Sequence, residues 1–405
     1  FPFLLSDMQT YEMAEERLRV LLDEIAKEKQ YKEYTVEVTP ITSGGANYSS
    51  VLFHATIKEP NKEDLQLFSK VINMSPDFRK MGDGNLNLDA EFYFYMELNK
   101  NFEALQEKHR VPDEHKLIVP KFYKCNRKYL EEALVLENLV KQGFTTYDRM
   151  KSMTWEYAAA ALSQLAKLHA LSFAYKHENP EEFAEVAKNL PFYMDSEEMS
   201  DLLFAKTLKV ALDVVNEEHK SKVTAFFNAE NRFDQYSKFW KMNNRNALIH
   251  VDYRQSNLMH RRKVKLFPVD FQTICTGNPV ADLLYFIFSG SDGQFRKIHS
   301  TNLIDYYYNE LTAALRRLSV DIDHVYPKSD KISKELSHKL FFHFQMEFFG
   351  LILSAILLPI GCVETENAPD FGEDAKISEM TIVPSKELRR RMNDVVEEYI
   401  KLGLL

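Results

Sequence analysis

The period of the hydrophobic pattern changes along the chain, and this change limits the folds that are possible. Residues 51–57 alternate between apolar and polar side chains, as in a half-buried strand, whereas most later segments have the helical period of about 3.6 residues. Strands are predicted within residues 34–57, 65–73, 120–125 and 132–137. Helices are predicted at residues 8–30, 85–109, 154–175, 201–228, 302–318, 331–358 and 385–402.

Residues that interrupt regular structure are scarce in this chain. It has 12 glycines and 14 prolines among 405 residues, roughly half the usual share for a globular protein. Long elements and a mostly helical protein are therefore expected. A small sheet region, a connector near residues 137–150 and a helical region interrupted at residues 247–272 predict an α+β fold with two lobes. Clefts between lobes are favoured places for ligands.

Charge and cysteine usage exclude several classes of protein. The net charge of −9 argues against a nucleic-acid partner, because binding phosphates requires a basic surface. The longest apolar stretch, residues 348–361, is shorter than the roughly 20 residues of a membrane span, so a buried helix is expected. The N-terminus has no basic segment typical of a secretory signal. Cysteines at three distant positions suggest a reducing, cytoplasmic location; they are Cys125, Cys275 and Cys362.

The strongest chemical signal is the segment HVDYRQSN at residues 250–257, followed 13 residues later by Asp270 on an apolar strand. Phosphoryl transfer needs a carboxylate to accept the proton of the attacking hydroxyl, and it needs hard oxygen ligands for magnesium. This spacing fits Asp252 as the base and Asn257 with Asp270 as metal ligands. The same residues also fit a polar loop in which Asp and Asn side chains cap turns.

The N-terminal region has residues suited to binding a nucleotide. Paired glycines at residues 44–45 lie between two predicted strands, where backbone amides can approach phosphate oxygens. Lys70 lies within an apolar strand and needs a partner, which Glu91 on the next helix can supply. An ordinary hairpin turn and a solvated edge lysine are the alternatives.

These segments together resemble the ecdysteroid-kinase-like family of insects, which is similar in fold to choline kinases and aminoglycoside phosphotransferases. The matching segments occur in order over most of the chain; they are GGANYSS (44–50), LFSKVI (67–72), AEFYFY (90–95), LVLENLVKQGF (134–144), LAKLHALSF (165–173), HVDYRQSNLM (250–259) and PVDFQTICTGNPVADLLYFIFSGS (268–291). The resemblance implies a protein-kinase-like fold and a phosphotransferase that transfers phosphate from ATP, with Mg²⁺, to a hydroxyl of a small molecule.

The resemblance also implies site residues and lobes. Asp252 is then the catalytic base, Asn257 and Asp270 are the magnesium ligands, and His250 and Asp282 support the catalytic loop. ATP-binding positions are Gly44, Gly45, Asn47, Ser49, Ser50, Lys70, Glu91 and the hinge Glu137, Asn138 and Leu139. The nucleotide-binding lobe is placed at residues 1–137 and the helical lobe, with the catalytic loop and acceptor site, at residues 138–405.

Three loop positions depart from the family pattern. Val251 stands where the family usually has glycine, and Arg254 and Ser256 stand where it usually has tryptophan and asparagine. Because a β-branched residue is strained at positive φ, a differently shaped loop is expected. A catalytically degenerate kinase-like protein that binds a nucleotide or a lipophilic ligand, and a vestigial carrier of hydrophobic ligands, are therefore kept as alternatives.

The acceptor is expected to contact the helical lobe, at residues 201–215 and 341–358. Glu347 is the only acidic residue within 341–358, whereas a pocket for a cationic amine is expected to contain carboxylates or an aromatic cage. A neutral, largely apolar alcohol such as a steroid is therefore favoured, although the same side chains could be ordinary core. The run Arg389–Arg391 is interpreted as a solvated helix face.

Overall fold

A computed structural model of the chain describes residues 3–41, 50–72, 86–190, 197–230, 232–240, 246–262, 265–325, 349–364, 367 and 379–405. The N-terminal part begins with helix α1 and contains an antiparallel sheet with strand order β1-β2-β3-β5-β4. Its elements are α1 (Phe3–Glu28), β1 (Thr35–Ile41), β2 (Ser50–Lys58), β3 (Leu65–Ile72), α2 (Leu86–Tyr93), α3 (Asn99–Lys108), β4 (Phe122–Asn126) and β5 (Ala133–Glu137).

The two faces of this sheet contact different cores. Alternate side chains of the strands are buried against α1, whose predicted apolar face is confirmed by Leu18, Leu21, Leu22 and Ile25, none more than 5% exposed. The opposite face contains Lys70, which is in register with Leu52 of β2 and Leu134 of β5. Because directly opposed residues share a face, the period of two places Lys70 on the side turned away from α1.

The rest of the chain is mainly helical, as predicted. Its described elements are α4 (Trp155–Glu178), α5 (Pro180–Asn189), α6 (Glu197–Val214), α7 (Glu217–Phe227), α8 (Arg232–Trp240), β6 (Ala247–Ile249), β7 (Leu258–Arg261), β8 (Lys265–Pro268), β9 (Cys275–Gly277), α9 (Pro279–Gly290), α10 (Gly293–Arg317), α11 (Ile322–Val325), the helical residues 349–361 and α12 (Lys386–Lys401). The single helix predicted at 201–228 is instead two helices. The extended backbone of Asn216 separates them.

Helices buried on most sides form the centre of this lobe. Most residues of α9 are buried, as expected for a helix that is apolar all round. The helical residues 349–361 pack nearby, and a Cβ on Gly350 would lie 2.1 Å from the ring of Phe288. Only glycine permits this approach. The expected buried helix is thus confirmed for its described residues, 349–361. In the described part of the chain, no helix is long and apolar enough to cross a bilayer.

The arginine run of α12 is not uniformly solvated. Arg391 is fully buried, where its Nε donates to Glu387 at 2.5 Å and its Nη1 donates to the carbonyl of Ser289 at 3.0 Å. Arg390 remains 46% exposed and also contacts Glu387, at 2.7 Å. The interpretation of the run as a solvated face is therefore wrong for Arg391, which instead holds α12 against the end of α9.

Replacing Arg391 tests this contact. Arg391→Ala removes one partner of a buried ion pair, so we expect the free energy of unfolding to fall by about 3 kcal/mol. The neighbouring Arg390→Ala removes an exposed partner of the same glutamate and is expected to cost less than about 1 kcal/mol. Urea denaturation followed by circular dichroism measures both. Equal losses in the two variants would contradict the buried role of Arg391.

Candidate active site

The loop between β6 and β7 is held by a buried carboxylate on α9. Asp282, which is fully buried, accepts hydrogen bonds from the backbone N–H groups of His250 at 2.6 Å and Val251 at 2.7 Å. His169 Nε2 lies 3.2 Å from the same carboxylate, and its Nδ1 lies 2.7 Å from the hydroxyl of Tyr307. The N-terminal end of the loop is therefore anchored to α9 and, through His169 and Tyr307, to α4 and α10.

Val251 adopts a left-handed backbone conformation, which is unfavourable for a β-branched residue. Its φ is +69°, in the left-handed region that favours glycine. The hydrogen bond to Asp282 and the burial of the valine side chain hold the backbone in this conformation, and the expectation of a differently shaped loop stays a prediction. The local strain of about 1–2 kcal/mol is offset by the surrounding structure.

Three side chains surround the carboxylate of Asp252. The amide Nδ2 of Asn257 donates to Oδ2 at 2.8 Å. The hydroxyl of Tyr285 donates to Oδ1 at 2.5 Å, and Nε of Arg254 lies 2.8 Å from the same oxygen. Tyr285 belongs to α9, one helical turn beyond Asp282. One helix therefore contacts both the backbone and the carboxylate of this loop.

The β7–β8 hairpin explains the separation of Asn257 and Asp270 in sequence. Leu258 pairs with Pro268, so the residue before β7 lies opposite the residue after β8. The N–H of Val269 accordingly donates to the carbonyl of Asn257 at 3.0 Å. His250 also contacts this segment, since its Nε2 lies 3.0 Å from the carbonyl of Val269. His250 thus braces the loop from within.

Lys70 joins the sheet to this hairpin. Its Nζ lies 2.9 Å from Glu91, 2.7 Å from Asp270 and 3.3 Å from Gln272. Burial alone would lower the pKa of Lys70, but the two carboxylates raise it above its ordinary value. Burial would raise the pKa of Asp270, but Lys70 lowers it, with smaller effects from His250 and Arg254. Lys70 and Asp270 are therefore both charged at neutral pH.

An aromatic stack links the segment that follows Glu91 to the loop between β6 and β7. Phe271 stacks on Phe94 with a ring separation of 3.6 Å and lies 4.9 Å from the ring of His250. Burial raises the pKa of Glu91 above its usual range. The backbone N–H of Phe271 donates to Glu91, and this hydrogen bond lowers that pKa in part. Asp270, with φ of +65°, turns the chain so that its own side chain meets Lys70 while the next ring enters the stack.

The predicted hinge follows β5. Asn138 is buried, and its Nδ2 donates to the carbonyl of Leu67 at 3.0 Å and lies 2.9 Å from Nδ1 of His54. Its side chain therefore ties the hinge to β2 and β3. The side chain of Glu137 accepts from Gln142 at 2.5 Å. Leu139 is buried in a small apolar cluster with Phe144 and Phe267, and Met259 and Val269 pack against it.

The predicted phosphate-binding loop is only partly described. Gly44, Gly45, Asn47 and Ser49 lie outside the described residues. Ser50 is the first residue of β2 and pairs with Ile72 of β3. The roles of all five in binding phosphate stay predictions.

The residues present fit a magnesium ion held jointly with a substrate. Among the described residues, no group of three or more His, Cys, Asp and Glu side chains is arranged to hold a metal. Mg²⁺ commonly takes only one or two protein carboxylates and completes its shell with waters and phosphates. Asn257 directs Nδ2 at Asp252, so its Oδ1 is the atom available to a cation. Asp270 supplies a charged oxygen beside it in the hairpin.

The expected acceptor wall is largely core. Within the described residues 349–358, six side chains are buried in the main hydrophobic cluster; they are Phe349, Leu351, Ile352, Leu353, Ala355 and Leu358. Ala211 and Val214 of α6 belong to the same cluster. Residues 341–348 lie outside the described part of the chain. The described apolar residues of this wall therefore stabilise the lobe and say little about the acceptor.

Comparison with known proteins decides the family. The family model described as the ecdysteroid kinase-like family matches residues 44–320, about two-thirds of the chain. The chain belongs to the ecdysteroid kinase-like family. This membership confirms the resemblance inferred from the sequence and identifies the protein as a small-molecule kinase with an α+β, two-lobed fold. A comparison with curated protein sequences found no match.

Several solved phosphotransferase structures are similar at low sequence identity. A spectinomycin phosphotransferase in complex with ADP and spectinomycin is 13% identical, with 76% of this chain and 88% of that chain covered and a TM-score of 0.40. An ethanolamine kinase of Plasmodium vivax is 11% identical, with 91% of this chain and 83% of that chain covered and a TM-score of 0.39. A choline kinase of Streptococcus pneumoniae is 14% identical, with 94% of this chain and 99% of that chain covered and a TM-score of 0.36. Function is therefore inferred from the family and from the site itself.

The structure also adds residues that the sequence motifs did not indicate. Tyr285 and Arg254 contact the carboxylate of Asp252, and Gln272 contacts Lys70. Tyr285 lies in a long apolar helix, where a tyrosine is usually core. Arg254 departs from the family pattern, and that departure alone does not indicate a contact with Asp252.

Replacing Asp282 tests the anchoring of the loop between β6 and β7. Asp282→Asn turns an amide nitrogen towards one of two backbone N–H groups, leaving it without an acceptor. We expect the free energy of unfolding to fall by about 2–3 kcal/mol. Asp113→Asn is the control, because that side chain is 93% exposed and its pairing with Lys116 is expected to contribute little. Urea denaturation that gave equal values for both would contradict the anchoring role.

Proposed function

We propose that the protein catalyses ATP- and magnesium-dependent phosphorylation of a hydroxyl group on a small molecule. One observation carries this proposal. Lys70 of the sheet contacts Asp270, which follows the β7–β8 hairpin, and Asn257, which precedes the same hairpin, donates to Asp252. A cation for phosphates, two metal ligands and a base are thereby gathered on adjoining segments. Family membership supports the same reaction class.

Each of these residues has a distinct proposed task. Asp252 orients the acceptor hydroxyl and takes its proton at Oδ2, where the hydrogen bond from Asn257 uses one lone pair and leaves another. Asn257 and Asp270 would hold Mg²⁺, which supplies charge neutralisation at the phosphates. Lys70 binds and orients phosphate oxygens, and Glu91 keeps it in place by the contact at 2.9 Å.

The nucleotide is proposed to lie against the face of the sheet that contains Lys70. Backbone groups of Glu137–Leu139 would meet the adenine, and the loop formed by Gly44, Gly45, Asn47, Ser49 and Ser50 would cover the phosphates. The buried Asn138 side chain supports this placement. Its contacts with Leu67 and His54 fix the hinge backbone against β2 and β3, the strands beside which Lys70 lies. We place the protein in the cytoplasm, where ATP is abundant.

The acceptor is proposed to be neutral or anionic and largely apolar, an ecdysteroid or a similar alcohol. Arg254 contacts the proposed base at 2.8 Å, so a positive charge lies where the acceptor hydroxyl has to arrive. A cationic acceptor such as choline or an amino sugar would be repelled there. The family description points to a steroid acceptor and agrees with this charge argument.

A degenerate kinase-like protein remains the contrasting hypothesis. The retained contacts among Lys70, Glu91 and Asp270, and between Asn257 and Asp252, favour an active enzyme. The departures at Val251 and Arg254 leave these contacts in place.

Substituting the two aspartates separates their roles. Asp252→Asn should lower kcat by on the order of 10²–10⁴, the usual contribution of a positioned base, while Mg-ATP still raises Tm. Asp270→Asn should abolish turnover and also remove the magnesium-dependent part of the Tm increase. The measurements are turnover and thermal shift with ATP, with and without magnesium. Loss of ATP binding in Asp252→Asn would show that the two roles are wrongly assigned.

A panel of acceptors tests the charge argument. We expect ATP turnover with ecdysteroids, sterols or related neutral alcohols to exceed turnover with choline or an aminoglycoside, and phenols and glycosides extend the panel. Preference for a cationic acceptor would contradict the acceptor proposal and leave the kinase assignment standing. Failure of Mg-ATP to raise Tm at all would contradict the proposed kinase activity.

A further inference from the structure

Arg254 occupies a fixed position inside the turn that carries the proposed base. Its N–H donates to the carbonyl of Asp252 at 3.0 Å, and its own carbonyl accepts from the N–H of Asn257 at 2.9 Å. Its side chain is only 20% exposed, and Asp252 is 17% exposed. The backbone of Arg254 thus cannot move independently of the base and the proposed metal ligand, and its guanidinium is held in the same partly desolvated space.

The charge of Arg254 acts on both aspartates of the site. Its Nε lies 2.8 Å from Oδ1 of Asp252. It is also one of the charges that lower the pKa of Asp270, after the larger effects of burial and Lys70. Lys70 contacts Asp270 at 2.7 Å and Arg254 contacts Asp252 at 2.8 Å, so each aspartate of the site has a cation beside it. Lys70 already contacts Glu91, whereas Arg254 contacts the residue proposed to meet the acceptor.

We propose that Arg254 is a catalytic residue whose guanidinium binds the phosphoryl group during its transfer to the acceptor. This inference rests on the proposed function. In the step, a bond forms between the acceptor oxygen and the phosphorus. The bond from the γ-phosphorus to the β–γ bridging oxygen of ATP breaks, and its electron pair leaves with ADP. The acceptor proton passes to Oδ2 of Asp252.

The chemistry of arginine suits this role. The guanidinium is planar and carries a delocalised charge with five N–H donors, which suits it to phosphoryl oxygens while its ion pair with Asp252 is kept. The phosphoryl group in transfer spreads negative charge over three oxygens, and fixed cations stabilise that charge best where water is partly excluded. The ion pair with Asp252 keeps Arg254 at the reacting position before the acceptor arrives.

A purely structural role for Arg254 gives a different expectation. If the ion pair served only to hold the loop, its loss would change stability and ground-state binding together. A catalytic role instead affects binding of a mimic of the group in transfer, with little effect on binding of ADP. Aluminium fluoride bound beside Mg-ADP is such a mimic, and its binding does not require knowledge of the acceptor.

The test uses the full chain and measures the dissociation constant of fluorescent Mg-ADP with and without aluminium fluoride. In the wild type, we expect aluminium fluoride to tighten binding. In Arg254→Ala, the dissociation constant of Mg-ADP alone should be unchanged, and the tightening should fall by about 10²- to 10³-fold, or vanish if it was smaller. Arg254→Lys should keep part of it. Arg19→Ala, which removes a surface ion pair with Glu15 in α1, is the control and should match the wild type.

Arg254→Gln guards against misfolding of the alanine variant, because it keeps a hydrogen-bond donor and removes the charge. Each variant's Tm without ligand is compared with the wild type. Tightening by aluminium fluoride that persists in Arg254→Ala or Arg254→Gln would overturn the inference and leave the kinase assignment intact. A wild type that binds neither Mg-ADP nor Mg-ATP would overturn the proposed function and the inference with it.

Discussion

The candidate site depends on one buried carboxylate. Asp282 lies at 0% exposure on α9 and accepts the N–H groups of two successive loop residues. A carboxylate without such partners would be costly to bury, so α9 and the loop fix one another. The same helix places Tyr285 against the carboxylate of Asp252. The position of the proposed base is therefore determined by a helix of the hydrophobic core.

Much of the fold was predictable because its signals are local. The alternation at residues 51–57 and the apolar face of α1 are set by neighbours in sequence, and both appear in the structure as expected. The proximity of Asp252 and Asn257 is also local, since an Asp and an Asn five residues apart occupy a single turn in which Asn257 donates to Asp252. The contact of Lys70 with Glu91 followed from the need of a buried cation for a partner.

What the sequence could not indicate depends on contacts between distant segments. A run of three arginines is usually solvated, and nothing near Arg391 in sequence reveals the carbonyls that receive it. Valine at positive φ is unfavourable unless a distant acid supports the backbone, as Asp282 does for Val251. The apolar residues 349–358 fit a pocket and a core equally well until their neighbours are known. In each case the local pattern is sound and tertiary packing decides the outcome.

The shared contact of Lys70 has a thermodynamic consequence. Before any ligand binds, Asp270 occupies one of the places at Lys70 that phosphate oxygens would take. Under the proposed function, a divalent cation that binds Asp270 reduces the attraction of that carboxylate for Lys70 and frees the ammonium for phosphate. Cation and nucleotide would then each raise the affinity of the other by the same factor, because coupling between two binding sites is reciprocal. A single lysine held between two carboxylates would thus make the two ligands cooperative.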